Sequence, residues 1–131
     1  MSNIGNTVVA VVDDDGSVLE SLKDLLESGG YCARIFPSAK AFLESGALSS
    51  IGCLISDICM PAMNGWELET RASHARPELP IILITGRDDT WQQVRAVRVT
   101  GPARPLFKKP FNGPELLTAV GAAVGAMESL R

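Results

Sequence analysis

Apolar residues along this chain fall into two alternating kinds of pattern. Unbroken, mostly β-branched runs occur at Thr7 to Val12 and Ile81 to Ile84, with a shorter one at Cys53 to Ser56. Runs of this kind predict strands buried on both faces. Between them the period changes. Val18, Leu22, Leu25 and Leu26 stand at helical spacing after Asp13 to Gly16, and Gly29-Gly30 closes that helix. Cys32 to Phe36 predicts a second strand, and Pro37-Ser38 opens a short helix with Phe42 and Leu43 inward that closes near Gly46. Asn64 to Ala75 and Thr90 to Val99 predict helices, and Leu106-Phe107 a short strand. In the last helix Asn112 is the cap, Pro114 fits the first turn and Glu115 follows the cap by three residues.

Strands alternating with helices in this way predict an α/β fold of the doubly wound class, a parallel sheet covered on both faces. Ligands of such sheets bind beyond the carboxyl ends of the strands, near the point where strand order reverses. The chemistry is therefore to be sought at those ends.

Composition narrows the field. A chain of 131 residues is the length of one domain, and 46% hydrophobic with 21% charged residues excludes a disordered chain. The net charge of −3 leaves no electrostatic footprint for nucleic acid or an anionic membrane. Charge is uneven, with eight acids and three bases up to residue 65, then seven acids and nine bases. Cys32, Cys53 and Cys59 form no Cys-x-x-Cys pair, which argues against a disulfide scaffold or zinc finger and for a reducing compartment. They are expected as core residues on strands or, for Cys59, as a loop thiol. Met1 to Thr7 has no signal-peptide pattern. Leu116 to Met127 falls short of the roughly 20 residues that span a bilayer. A cytoplasmic location without membrane attachment is expected.

The strand ends carry an unusual set. The first predicted strand runs into Asp13, Asp14 and Asp15, the third into Asp57, the fourth into Thr85 and the last into Lys108 and Lys109. Carboxylates gathered at one edge repel, by roughly 3 kcal/mol per pair at about 5 Å and an effective dielectric of 20. Either one of them takes up a proton or a cation sits between them. Oxygen ligands without His or Cys favour a hard ion such as Mg²⁺, which also binds phosphate oxygens. Lys109 and the Thr85 hydroxyl would hold the remaining oxygens of a phosphoryl group. An ionised carboxylate beside the metal would then serve as a nucleophile.

Asp13-Asp14, the run from Asp57 through Met60-Pro61 to Asn64-Gly65, Ile84-Thr85-Gly86 and Lys109-Pro110-Phe111 together resemble a bacterial response regulator receiver domain. The likeness covers about residues 7–125, and residues 1–131 are expected to form one such domain. It implies a flavodoxin-like fold with strand order 2-1-3-4-5. It also implies that Asp57 accepts a phosphoryl group from a histidine kinase, a phosphotransfer protein or a small donor. Asp14 becomes a direct Mg²⁺ ligand, Asp13 one acting partly through water, and Cys59 a ligand through its backbone carbonyl only. Thr85 becomes the switch hydroxyl and Lys109 the lysine that pairs with phosphate. Lys108 is expected to point outward and Asp15 to be a solvated loop residue. Downstream the family acts through a protein target, and some relatives form homodimers.

Two features depart from the family pattern. Leu106 stands where receivers usually carry Tyr or Phe, and Gly101-Pro102-Ala103-Arg104-Pro105 replaces the customary Gly-Ala turn. The prolines are expected to stiffen that face. Cys59 and Arg87 occupy positions that tune phosphate lifetime in the family.

Other readings remain. Asp57 would serve merely as a helix cap, and Asp13-Asp14 merely as an acidic turn. A phosphohydrolase using Asp57 as nucleophile needs a second Asp two residues on as general acid, and Cys59 stands there instead. A degenerate receiver would bind proteins without taking phosphate, and a receiver can also be one part of a DNA-binding transcriptional regulator. His74, Trp66, Trp91 and the scattered arginines Arg71, Arg76, Arg87, Arg95, Arg98 and Arg104 are expected on a solvated surface or packed at helix starts.

Overall fold

A computed structural model describes residues 7–86 and 105–129. The elements follow the expected alternation. Strand β1 (Val8–Val12) leads to helix α1 (Gly16–Ser28), then β2 (Cys32–Phe36), α2 (Ala39–Glu44) and a single 3₁₀ turn at Ala47–Ser49. Next come β3 (Cys53–Asp57), α3 (Gly65–Ala75), β4 (Ile81–Thr85), β5 (Leu106–Lys108) and α4 (Gly113–Ser129). The helix expected over Thr90 to Val99 lies outside the described residues, as do Trp91, Arg87, Arg95, Arg98, Arg104 and Pro102.

All strand pairs are parallel, in the order β2-β1-β3-β4-β5. The chain steps from β1 to β2 in one direction and from β2 through β3 to β4 in the other. With right-handed crossovers this puts α1 on one face and α2 and α3 on the opposite face. Two apolar layers result. Val9, Val11, Ile55, Ile82 and Ile84 pack with Leu22 and Leu26 of α1 and Leu116 and Val120 of α4. Ala10, Val12, Leu54, Ile81 and Leu83 pack with Phe42 of α2 and Leu68 and Ala72 of α3. Alternate residues of one strand thus serve opposite layers, as period-two geometry demands. β3 and β4 are buried at every position, which is why their runs lack polar interruptions.

Each helix start has a chemical cause. Ser38 Oγ accepts from Ala41 N at 3.0 Å, and Asn112 Oδ1 accepts from Glu115 N at 3.0 Å. Asn64 Oδ1 accepts from Glu67 N, and Glu67 Oε1 accepts from Asn64 N, a reciprocal box that fixes the start of α3. Asp15 caps α1, accepting from Ser17 N at 2.9 Å and Val18 N at 3.4 Å. It is exposed, as expected, but has a structural role that the expectation omitted.

Two sequence expectations need correction. Cys32 is exposed rather than in the core, because it lies on the edge strand β2, which has a neighbour on one side only. Arg76 is not simply solvated: its guanidinium donates to the carbonyls of Leu48 and Ile51 at 3.0 and 2.6 Å and pairs with Glu78 at 3.3 Å. It ties the end of α3 to carbonyls at and just after the 3₁₀ turn. Among the described residues no helix is long and apolar enough to cross a membrane.

Candidate functional site

The hydrogen-bond ladder continues one residue past the strands and delivers the side chains to a common edge. Asp13 N donates to Phe36 O at 3.2 Å, Ile58 N to Ile84 O at 2.9 Å, and Lys109 N to Thr85 O at 2.7 Å. Asp57 is the last residue of β3 and pairs in register with Ile84, while Thr85 ends β4 opposite Lys108. Asp13 and Thr85 are fully buried and Asp57 is 4% exposed, whereas Asp14 is exposed. Lys108 is exposed and Lys109 is turned inward, as the sequence indicated.

Asp13, Asp14 and Asp57 each bring a carboxylate oxygen within 4.8 Å of the others. Lys109 Nζ lies between two of them, 2.9 Å from Asp13 Oδ2 and 3.5 Å from Asp57 Oδ2. Asp13 Oδ1 accepts from Asp15 N at 2.9 Å, and Asp57 Oδ1 accepts from Cys59 N at 3.4 Å. Cys59 Sγ and Thr85 Oγ1 are 3.9 Å apart, a weak sulfur hydrogen bond. Asp57 therefore does not cap α3. Asn64 does, and Asp57 is held inside the site.

Burial raises the pKa of Asp57 to about 6, with the charge of Asp13 adding to the rise and Lys109 and the Cys59 N–H opposing it. For Lys109, burial disfavours the ammonium, yet the hydrogen bond to Asp13 and the charges of Asp57 and Asp13 outweigh it and raise its pKa. Among the described residues the ammonium of Lys109 is the cation paired with these carboxylates, so the described cluster carries excess negative charge. Three oxygen donors, with no thiol or imidazole in the trio, fit a hard divalent cation such as Mg²⁺.

The loop between Asp57 and α3 explains two further motif residues. A Cβ on Gly65 would lie 2.5 Å from the carbonyl oxygen of Asp57 and 2.7 Å from the Cα of Ile58, so only glycine permits this approach. Gly65 N donates to Ile58 O at 2.9 Å and locks it. Ala62 holds a positive φ of 64°, which a non-glycine residue keeps only where its surroundings impose it. The Asp-Gly-Ser and Asn-x-x-Glu cap signatures were present in the sequence as signals for Asp15 and for the Asn64–Glu67 box. Nothing in the sequence marked Ala62 or Arg76.

The remaining candidates take ordinary places. Burial pushes the Cys53 thiol up to about 12, which makes it an inert core group. His74 is exposed in the last turn of α3, and Trp66 is half-buried against the α2/α3 layer. Leu106 packs in that same layer while Phe107 packs on the opposite one.

Buried carboxylates, a hydroxyl and an ammonium thus gather at the carboxyl ends of a doubly wound parallel sheet, the edge where ligands of such sheets bind. The comparisons with known proteins name the family. A family model for the response regulator receiver domain matches residues 9–121. Response regulator protein TodT of Pseudomonas putida is 38% identical over 118 residues, covering 90% of this chain and 51% of TodT. Transcriptional regulatory protein FixJ of Bradyrhizobium diazoefficiens is 33% identical over 120 residues, covering 92% of this chain and 58% of FixJ. The response regulator StyR shares the fold with a TM-score of 0.80 at 34% identity, covering 96% of this chain and 63% of StyR. This chain belongs to the response regulator receiver family of two-component signalling. It spans about half the length of the curated relatives it matches.

Proposed function

We propose that this receiver is phosphorylated on Asp57 and passes the signal to a protein target through the change that follows. The observation that carries this is the buried Asp57 set beside Asp13, with Lys109 reaching both carboxylates. A carboxylate oxygen of Asp57 attacks phosphorus while the bond to the donor's nitrogen or oxygen breaks, and the leaving group departs with that electron pair. The donor is a histidine kinase, a phosphotransfer protein or a small acyl phosphate. Asp13, Asp14, Asp57 and the Cys59 carbonyl would hold Mg²⁺, which supplies positive charge to the phosphoryl oxygens when bound. Lys109 shifts from Asp13 onto the new phosphoryl group, and the Thr85 hydroxyl turns to the same group, leaving the Cys59 thiol. The site performs self-phosphorylation from a donor and autodephosphorylation, in which water attacks phosphorus, inorganic phosphate leaves and the Asp57 carboxylate is restored, rather than turnover of substrates. Cys59 offers no carboxyl at the general-acid position of a phosphohydrolase.

A place within a DNA-binding regulator is the second reading, and the coverage of FixJ favours it. Intact mass after incubation with acetyl phosphate and Mg²⁺ tests the first. A single phosphoryl adduct that disappears with chelator and in Asp57→Asn is expected. A chain that stays unmodified while still binding Mg²⁺ would point to a degenerate, phosphate-independent binding module.

A further inference from the structure

Asp15 is exposed and stands outside the acidic trio, yet its N–H, its carboxylate and its carbonyl are all engaged. Its Oδ1 accepts from Ser17 N at 2.9 Å, Ser17 Oγ at 2.7 Å and Val18 N at 3.4 Å. Its carbonyl accepts from Leu19 N at 3.1 Å, the first backbone bond of α1. Its N–H donates to Asp13 Oδ1 at 2.9 Å. One residue therefore joins the buried acid of the site to the start of a helix. Leu19, Leu22 and Leu26 anchor that helix in the core, so the link ends on a packed element.

The bond to Asp13 closes a turn around Asp14. It fixes the backbone that carries Asp14, and it leaves Asp13 Oδ2 to Lys109 Nζ at 2.9 Å. The donated N–H depends on the backbone of residue 15, which is extended (φ −94°, ψ 109°) immediately before the helix. A short polar side chain holds that conformation because its oxygen takes the otherwise unpaired N–H groups of the first turn. Alanine has no oxygen to do so.

We propose that Asp15 is a positioning residue of the phosphoacceptor site. Its cap on α1 holds its N–H on Asp13, and so fixes Asp13 and Asp14 for a divalent cation. That the cation serves phosphorylation rests on the function proposed above. The charge of Asp15 is dispensable for this task, and its capping oxygen is not. Removing groups that orient metal ligands from behind lowers metal affinity by roughly 10- to 100-fold.

The test compares neutral replacements at this position in the full chain. Asparagine keeps a capping oxygen and alanine does not, so Asp15→Asn and Asp15→Ala differ in the cap at equal charge. Without metal, amide hydrogen exchange at residue 15 is read by NMR and corrected for intrinsic rate. Exchange about tenfold faster in Asp15→Ala than in Asp15→Asn is expected. Titration calorimetry with Mg²⁺ alone should then show about tenfold weaker binding to Asp15→Ala than to Asp15→Asn. Asn64→Ala, which removes the cap of α3, should bind Mg²⁺ as the wild type does, since a lost cap elsewhere does not move Asp13. Asp15→Ser, a second neutral cap, serves if Asp15→Asn fails to fold. Equal exchange in the two variants overturns the proposal, as does equal Mg²⁺ affinity. So does an Asn64→Ala chain weakened as much as Asp15→Ala, or a wild-type chain that binds no Mg²⁺. If the Mg²⁺ pattern holds but the wild type takes no phosphoryl adduct from acetyl phosphate, the function proposed above falls and the positioning role stands.

Discussion

The bodies of the central strands and their carboxyl ends differ in what burial does. Along β1, β3 and β4 the bodies are apolar and, apart from half-buried Val8, enclosed, and each side chain adds favourable burial to one of the two layers. At the ends of those strands the buried groups become Asp13, Ser56, Asp57 and Thr85. Ser56 Oγ donates to the carbonyl of Asp57 at 3.0 Å, but among the described residues the carboxylates share the single ammonium of Lys109. The same backbone ladder holds both regions. The bodies create stability, and the ends consume part of it to keep ionised groups together at the edge where the proposed phosphorylation would take place.

That contrast can be broken or sharpened by substitution. The largest effect belongs to the body. Leu54→Ala, at a position with no exposure, should cost about 3 kcal/mol in urea unfolding by removing contacts and leaving a cavity. Gly65→Ala comes next, at about 2 kcal/mol, because its Cβ would overlap the Asp57 carbonyl and the Ile58 Cα. It should also slow phosphorylation, measured by intact mass, since the displaced backbone carries Asp57.

Asp57→Asn should move stability the other way. The folded chain holds the Asp57 proton up to about pH 6, against 3.8 for an ordinary aspartate. The stability from this group is therefore complete below pH 3.8 and is lost as pH rises through 6. Asparagine stands in for the neutral form. In metal-free buffer the variant should be more stable by on the order of 1–2 kcal/mol above pH 6 and no more stable near pH 4. A variant less stable than wild type at neutral pH would remove the claim that the strand end is under electrostatic load. The smallest effect tests the cap. Asn64→Ala should cost about 1 kcal/mol while leaving the adduct on Asp57 intact, which separates starting α3 from accepting phosphate.

Period and punctuation made most of the architecture legible from the amino-acid order. Short, β-branched, uninterrupted runs such as Ile81 to Ile84 point to strands buried on both faces, and their alternation with helical spacing points to parallel pairing. The carboxylates, Thr85 and Lys109 were legible too, because in a parallel sheet every residue just after a strand reaches one edge. Packing between distant segments decided the rest. Arg76 finds the Leu48 and Ile51 carbonyls only once α3 lies beside the 3₁₀ turn. Cys32 is exposed because β2 is an edge, a fact of strand order and not of local pattern. The left-handed conformation of Ala62 in the loop after β3 likewise had no mark in the local pattern. Local sequence determines which face a residue joins, since side-chain direction repeats with the backbone. Which partner it meets there is set by the crossover of chain segments far apart in sequence.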